Sequence, residues 1–332
     1  MTLAVNIAQS GSNNATFRNR IINGAMVIAQ YGTGSTSVQT STLYTSCDRW
    51  ISDASQNSKY TIQQSSDAPT GFNFSLLATS SSAYSVTASD GFRLQQRIEG
   101  FNTADLAFGS ASAKTVTLSF WVKSTLTGTF GGSLCNSAFN RTYPFTYTIS
   151  SASTWEQKTI TIAGDTSGTW IGATNGIGII VYFSLGAGSN FTGTNNAWNS
   201  GFYLGGSTSV VGTSGATFQI SGVQLEAGTT ASPFEYRQYG TELILCQRYY
   251  FQDSGGGGSI GFMYHASTGD PNVHYIYPYK ATMRTTPTVT ITVSNTTPGT
   301  QYVGVNSCEV FATSPGTAGE SRVNSIIISA EL

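Results

Sequence analysis

Apolar residues recur at every second position along much of this chain, and this alternation constrains the fold more than any other feature. In residues 114–123 the apolar side chains fall on one face of an extended strand, and in residues 177–185 they do so again. Clusters of Gly, Ser and Thr separate such runs at residues 124–128, 164–168 and 186–193. Many short strands with turns between them predict an all-β chain, built as a sandwich or barrel rather than as a sheet with helical crossovers.

A change of register interrupts one of the predicted strands. Even positions carry the apolar side chains in residues 216–220, whereas Val223 and Leu225 occupy odd positions. A β-bulge keeps both sets on the core face, because one extra residue reverses the direction of the side chains that follow it. The sequence therefore predicts a bulge at residues 221–222.

One helical pattern occurs, in residues 241–250. Thr241 is suited to cap the helix, and Glu242 then lies at the positive end of the helix dipole. The apolar stripe of this helix comprises Leu243, Leu245, Cys246 and Tyr250. A helix of about ten residues is marginal alone, so we expect the stripe to pack against the chain's own sandwich or against other copies of the chain. The glycine run 255–258 predicts a surface loop after it.

Charged side chains are scarce. They make up 9% of the 332 residues, compared with about 25% in an average globular chain, and the net charge is −1. No run of Lys or Arg is present, which argues against nucleic-acid binding, because that function needs basic side chains to neutralise phosphates. No stretch approaches the ~20 apolar residues of a membrane span. Residues 1–10 lack the pattern of a signal peptide, so assembly in the cytoplasm is expected.

The sequence offers few residues for metal binding or catalysis. Its four cysteines are far apart, which predicts buried free thiols rather than a zinc site. Two histidines occur, His265 and His274, and no GxSxG motif accompanies them, so a Ser-His-Asp triad is not supported. A glycosidase with two converging carboxyl groups is the main catalytic alternative, and a calcium site would need scattered ligands because no DxDxDG loop is present. We therefore predict a non-catalytic protein without a cofactor.

An aromatic segment near the C-terminus is the best candidate for a binding site. It comprises Tyr264, His274, Tyr275, Tyr277 and Tyr279. In an extended strand the last three tyrosines share one face, and aromatic faces stack on sugar rings while polar tips bind hydroxyl groups. The alternative is that these tyrosines pack an oligomer interface or the core of a small domain. Pro278 cannot donate to a strand ladder, which predicts an edge strand or a loop.

Eight short motifs are distributed over residues 18–251. They are RIING at residues 20–24, CDRW at 47–50, QRIEG at 96–100, LSFWVK at 118–123, GVQLEAG at 222–228, PFE at 233–235, YGTEL at 239–243 and CQRYY at 246–250. Together they resemble phage tail-fibre and virion structural proteins, and residues 96–123 are similar to the carbohydrate-binding-module-like jelly roll in such proteins. On physical grounds we expect Asp48 and Arg49 to pair, and Glu99 and Glu226 to accept backbone N–H groups of loops.

The resemblance implies a jelly-roll β-sandwich, a virion location and a homotrimer, since phage fibres are usually threefold. We divide the chain into an N-terminal attachment arm (1–18), the jelly-roll β-sandwich (19–238), a short helix and linker (239–254) and a smaller C-terminal β-sandwich domain (255–332). We expect the arm to bind other virion proteins. Around the threefold axis, the helix is expected to contribute Leu243, Cys246 and Tyr250.

Two functions are compatible with these observations. The first is a tail or head fibre that binds a host-surface glycan or receptor without catalysis, through the C-terminal tyrosines. The second is a structural decoration or adaptor subunit that contacts other virion proteins and no receptor. Both place the chain in the virion after assembly in the host cytoplasm.

Overall fold

The alternating apolar runs form antiparallel strands, which confirms the all-β class. The computed structural model describes residues 17–40, 44, 46–254, 260–265, 273–294, 297–313 and 319–332. The chain divides into two compact units, Met1–Arg237 and Gln238–Leu332.

Two sheets make up the first unit. Its strands are β1 (Thr36–Ser37), β2 (Ile51–Ala54), β3 (Tyr60–Ser65), β4 (Ser75–Ser80), β5 (Gly91–Glu99), β6 (Val116–Ser124), β7 (Gly128–Cys135), β8 (Arg141–Ile149), β9 (Glu156–Ile162), β10 (Ile177–Ala187), β11 (Asn199–Ser200) and β12 (Thr217–Ala227). Sheet A has the order β1-β3-β4-β12-β6-β9, and sheet B has the order β11-β8-β7-β10-β5-β2. Short 3-10 helices at Gly100–Asn102, Ala104–Leu106 and Ser189–Phe191 lie in the connections.

The two sheets pack face to face around an aromatic core. Phe120 of sheet A and Phe183 of sheet B are fully buried, and their ring centroids lie 5.0 Å apart. Phe218 of sheet A packs against the same Phe183 ring at 6.5 Å. The chain crosses repeatedly between the sheets, as from β2 to β3 and from β4 to β5. This arrangement is a jelly-roll β-sandwich, as the sequence predicts.

The predicted bulge lies in β12. The pairing of β12 with β6 shifts register between Ser221 and Gln224, and Gly222 adopts a φ of 58°. Phe218, Ile220, Val223 and Leu225 are all fully buried, so both apolar sets face the core. The prediction is confirmed, because the extra residue returns the apolar side chains to the inner face.

Backbone and side-chain groups of four sequence motifs hold the start of the described chain in the sandwich, together with Asn19. The amide of Gln96 donates to the carbonyl and accepts from the N–H of Ile22, each at 2.8 Å. Asn19 Oδ1 accepts the N–H of Leu225 at 3.1 Å, and Glu235 Oε2 accepts the N–H of Asn19 at 2.9 Å. Gln96 interrupts the apolar stripe of β5 because its side chain satisfies the backbone N–H and C=O of Ile22, which lies in no strand.

The predicted attachment arm, residues 1–18, lies outside the described residues except at its last two positions. Phe17 is 56% exposed. Arg18 donates from its guanidinium to the carbonyl of Pro233 at 2.9 Å, and its backbone N–H bonds Glu235 at 3.3 Å. Arg18 therefore contacts the sandwich.

Two of the motif carboxylates bind local groups. Glu226 accepts the backbone N–H of Ser232 at 2.8 Å and its hydroxyl at 2.6 Å, which confirms the predicted loop anchor. Asp48 accepts the backbone N–H of Gln30 at 2.6 Å and its side-chain amide at 2.5 Å. Both residues fasten irregular segments to the sheets.

A short helix and a smaller β-sandwich form the second unit, as predicted. The helix α1 spans Tyr239–Gln247, and the strands are β13 (Tyr250–Ser254), β14 (Gly261–His265), β15 (Val273–Pro278), β16 (Thr288–Ser294), β17 (Thr297–Gln301), β18 (Ser307–Thr313) and β19 (Gly319–Ser329). One sheet has the order β13-β19-β14 with β16 also paired to β19, and the other has the order β15-β18-β17. Their shared core includes Phe251, Val310, Ile326 and Ile328.

The N-terminus of α1 differs from the prediction. The helix begins at Tyr239 with Gln238 at the N-cap position, so Thr241 lies inside the first turn and does not cap it. Glu242 is in the first turn, where its charge favours the helix dipole as expected. A helix this short takes its limits from tertiary contacts rather than from a capping residue.

The predicted stripe of this helix is also divided. Leu243 and Cys246 lie in α1, which ends at Gln247, but Tyr250 begins β13 and pairs with Ser329 of β19. The three side chains therefore do not form one helix face, and this part of the prediction is wrong. Strand pairing with β19 is the competing interaction, because it satisfies backbone groups that a longer helix would otherwise have used.

All four cysteines lie within the part of the chain that the structure describes. Cys47, Cys135, Cys246 and Cys308 are buried thiols, and none of the four forms a disulfide, as predicted. Burial raises the pKa of the Cys135 thiol to about 11. In the described ranges no group of three or more His, Cys, Asp or Glu side chains converges to hold a metal, and no described helix is long and apolar enough to cross a membrane.

Candidate functional site

The predicted tyrosine segment lies on β15, at the edge of its sheet, which confirms the prediction from Pro278. Tyr277 is 7% exposed and donates its hydroxyl to Asp253 at 3.0 Å. Burial and this carboxylate raise the pKa of Tyr277 above its ordinary value. Tyr279 packs partly buried against the same core, with its ring 5.9 Å from Phe251. Both rings serve the core of the second unit.

Burial therefore divides the predicted site. Tyr275 is 39% exposed, and its ring centroid lies 6.4 Å from that of Tyr277. His274 points to the other side of the strand, where its Nδ1 lies 2.5 Å from Oε1 of Glu309. Tyr264 lies in β14, opposite Glu320, and its side chain is outside the described part of the structure. A ring as buried as that of Tyr277 presents no face to a sugar, so the three tyrosines do not form one exposed platform.

Five aromatic side chains on the outer side of sheet A form a surface that we call the aromatic strip. They are Phe72, Trp121, Trp155, Phe234 and Tyr236. Trp121 points away from the core because its neighbours Phe120 and Val122 on β6 are fully buried and point inward. The other four side chains come from connections that pass over the sheet.

At one end of the strip three rings are in mutual contact. The centroid of Phe72 lies 5.1 Å from Phe234 and 5.3 Å from Tyr236, and the last two lie 4.9 Å apart. Tyr236 is 61% exposed and donates its hydroxyl to the carbonyl of Gly71 at 2.9 Å. This hydrogen bond holds the ring in place without covering it, so Tyr236 presents an open aromatic face.

The bulge in β12 brings this triad to Trp121. A Cβ atom on Gly222 would lie 2.6 Å from Cζ of Phe72 and 3.1 Å from Cδ1 of Trp121. The missing side chain and the positive φ of Gly222 thus let both rings lie close to its backbone. The same bulge that repairs the core register therefore also shapes the outer surface.

Polar groups surround the other end of the strip. Asp67 accepts the indole N–H of Trp155 at 3.2 Å and pairs with Lys123, whose ammonium lies 5.7 Å from the Trp155 ring centroid. Burial raises the pKa of the Asp67 carboxyl, but the hydrogen bonds from Lys123 and Trp155 outweigh it, so the pKa lies below its ordinary value. Lys123 follows Trp121 two residues along β6, about 7 Å away on the same face.

The chemistry of the strip is that of a neutral binding surface. Lys123 pairs with Asp67, so the positive and negative charges of this pair balance. One exposed ring and four half-buried rings, bordered by hydrogen-bonding groups, match a sugar, which presents an apolar face and a rim of hydroxyls. The carboxylate of the strip is held by Lys123 and Trp155 and is ionised, which suits it as an acceptor and not as a general acid.

Sequence patterns did not identify the strip. Trp121 lies in the LSFWVK motif, and Phe234 lies in the PFE motif, but neither motif by itself predicts a binding surface. Phe72 and Phe234 are more than 150 positions apart, so no local periodicity relates them. The available signal was the outward position of Trp121 in the alternation of β6, because it places a large aromatic side chain on the outer face between two core residues.

Comparisons with known proteins identify no family. No family model matches the chain, and no curated protein matches it. Among solved structures, the enzymatically active domain of bacteriophage CBA120 tailspike protein 4 is 13% identical over 64% of this chain and 22% of that chain, with a TM-score of 0.33. A sugar-binding protein described as putative, from Bacteroides thetaiotaomicron, is 14% identical over 63% of this chain and 100% of its own, with a TM-score of 0.38.

A third similar structure is the family 11 carbohydrate-binding module of a cellulosomal cellulase from Clostridium thermocellum. It is 13% identical over 61% of this chain and 99% of that chain, with a TM-score of 0.29. This chain thus spans about a fifth of the tailspike domain and nearly all of the other two. All three TM-scores are low, and the fold assignment rests on the strand pairing of the chain itself.

Proposed function

We propose that this chain is a non-catalytic carbohydrate-binding subunit of a bacteriophage fibre, on the tail or the head, which binds neutral polysaccharide of the host surface. The observation that carries the proposal is the aromatic strip, in which an exposed tyrosine and two tryptophans adjoin a balanced ion pair. The virion role is supported by the resemblance of the sequence motifs to phage fibre proteins. A homotrimer belongs to the same proposal.

The strip has the properties that a polysaccharide site needs. Trp121 stands on a paired strand, and hydrogen bonds hold the rings of Trp155 and Tyr236, so little conformational entropy is lost when a ligand binds. Its balanced charges favour uncharged sugars over acidic polymers. Several rings in a row provide contacts for more than one sugar unit of a chain.

A decoration or adaptor subunit is the second candidate function. It is favoured by the helix α1, where Tyr239 is 63% exposed and Ile244 is 56% exposed. Exposed apolar side chains of this size are typical of surfaces that another protein covers. In this alternative the chain binds other virion proteins and no polysaccharide.

Replacing Tyr236 with alanine is expected to weaken polysaccharide binding about tenfold, since a stacked aromatic ring contributes about 1–1.5 kcal/mol. The measurement is affinity electrophoresis of the full chain in gels that contain hydroxyethylcellulose, xylan, galactan or dextran. Tyr302→Ala is the matched control, because Tyr302 is 81% exposed in the second unit. Equal retardation of both variants would contradict the assignment of the strip. If the wild type were retarded by none of the polymers and did not bind intact host cells, the adaptor function would be supported.

Deletion of residues 2–16 is expected to prevent incorporation into particles while leaving the sandwich folded. Arg18 and Asn19, which bind Glu235, remain in the shortened chain. Immunoblots of purified particles measure incorporation, and thermal unfolding of the purified protein is the control. Normal amounts of the shortened chain in particles would exclude an attachment role for this segment.

A further inference from the structure

A second exposed aromatic surface lies on sheet B, at the turn that joins β7 to β8. Phe139 is 43% exposed at this turn and has a φ of 55°. The left-handed region is unfavourable for a residue with a large side chain and is normally occupied by glycine, or by asparagine. The strain of its backbone and the exposure of its ring indicate that Phe139 has a role other than stabilising the turn.

The turn is held in this conformation by Asn136, which is fully buried. Its Oδ1 accepts the N–H groups of Asn140 and Arg141, each at 3.1 Å. Its Nδ2 donates to Oδ1 of Asn140 at 2.7 Å and to the carbonyl of Thr169 at 3.1 Å. With all these bonds made, the position of Phe139 is fixed before any ligand arrives.

The Phe139 ring packs against Phe202, which is itself in contact with other aromatic side chains. Its edge meets Phe202 at 5.7 Å and 86°, and Phe202 contacts Tyr182 at 5.1 Å and Phe191 at 5.7 Å. Arg93 lies 5.1 Å from the Phe202 centroid. The Arg93 guanidinium is itself held by Asp53 through two hydrogen bonds of 3.0 and 2.6 Å, which neutralise its charge.

Uncharged polar groups border these rings. Asn140 is exposed beside Phe139, and its carbonyl accepts the N–H of Gly201 at 3.1 Å, which brings the exposed Ser200 to the same place. An amide and a hydroxyl next to two aromatic rings supply donors and acceptors for sugar hydroxyls.

We propose that Phe139 and Phe202, with Asn140 and Ser200, form a second carbohydrate subsite that takes the apolar face of a neutral sugar. The inference deepens the proposed function and rests on it. The strip and this subsite belong to different sheets of one sandwich, and a polysaccharide repeats the same sugar many times. Two subsites on one chain therefore raise the avidity for a polymer more than the affinity for a short oligosaccharide.

Phe139→Gly separates this role from a structural one. Glycine removes the ring and relieves the positive φ, so we expect a melting temperature equal to or above that of the wild type together with a five- to tenfold loss of affinity for the polymer. Ala138→Gly is the control, since it loosens the same turn and keeps the ring; its affinity should equal that of the wild type. Phe139→Leu should bind as weakly as Phe139→Gly, because stacking on a sugar needs the ring and a general apolar contact does not.

The same four polymers used for the strip, compared with a trisaccharide of the polymer that binds best, provide the measurement. Unchanged affinity of Phe139→Gly, with loss of affinity in Tyr236→Ala, would overturn the second subsite and leave the proposed function standing. A lowered melting temperature with unchanged affinity would assign Phe139 to stability and would also overturn the inference. Absence of binding by the wild type would remove the proposed function and the second subsite together.

Discussion

Gly132→Ala is expected to prevent folding of the sandwich, or to lower its free energy of unfolding by more than about 4 kcal/mol. Gly132 lies in β7 between β8 and β10, where it pairs with Phe145 and Phe183. A Cβ atom there would lie 1.9 Å from the carbonyl oxygen of Tyr182 and 2.8 Å from Cζ of Phe145. Neither strand can move away without breaking the ladder, because β7 is hydrogen-bonded on both sides.

Gly34→Ala is the matched control for this substitution. Gly34 is exposed, and no heavy atom lies within 4 Å of the position that its Cβ would take, so we expect a change within about 0.5 kcal/mol. Urea unfolding followed by tryptophan fluorescence measures both variants. If Gly132→Ala unfolded at the same urea concentration as Gly34→Ala, the close pairing of β7 with β10 would be incorrect.

Asp90→Ala is expected to lower the free energy of unfolding by about 3–5 kcal/mol. A charged acceptor forms strong hydrogen bonds, and its removal leaves the donors around it without a partner. Asp90 is 2% exposed. It accepts the N–H and the hydroxyl of Thr87 at 2.8 and 2.7 Å, the hydroxyl of Ser55 at 2.8 Å and that of Tyr84 at 2.9 Å. Its loss would release the connection before β5 from the end of β2.

The same residue should make the stability depend on pH. Burial raises the pKa of Asp90, but the hydrogen bonds from Thr87, Ser55 and Tyr84 outweigh it and hold the pKa well below the ordinary value. Since the folded pKa is lower than the unfolded value of about 3.9, the contribution is complete above about pH 5 and is lost as the pH falls toward the folded pKa. Urea midpoints of the wild type and of Asp90→Ala should therefore converge below pH 4. A constant difference between pH 7 and pH 3 would be inconsistent with this account.

The jelly roll explains how distant residues meet in the aromatic strip. β6 lies between β12 and β9 in sheet A, so the residues that follow β12 and precede β9 pass close to Trp121. Trp155 directly precedes β9, and Phe234 follows β12 by seven residues. Strand order thus assembles a surface from segments that are separate in the sequence, and the rigid sheet beneath fixes its geometry.

Local patterns predicted the features that depend on local geometry. Strand alternation identified β6 and β10, the change of parity in residues 216–225 located the bulge, and Pro278 identified an edge strand. Each rests on backbone chemistry that a few neighbouring residues determine: side-chain alternation, the effect of one extra residue, and a missing N–H group. These predictions were confirmed for that reason.

The predictions that needed long-range contacts were less successful. Tyr275 and Tyr277 alternate in the same way in the sequence, yet Tyr277 is buried with its hydroxyl bonded to Asp253 of the facing sheet, whereas Tyr275 is exposed. Tyr250 continued the helical stripe but forms a strand, because β19 offers it backbone partners.

The sequence alone thus determined that the chain is all-β, where the bulge and several of the strands lie, and that a short helix precedes a smaller β-sandwich. The tertiary structure decided which aromatic rings are exposed together. Burial depends on what packs over a residue, and in a jelly roll those neighbours come from strands far away in the chain. The strip around Trp121 and the strained Phe139 were visible as residues in the sequence, but their exposure and their partners exist in the folded chain alone.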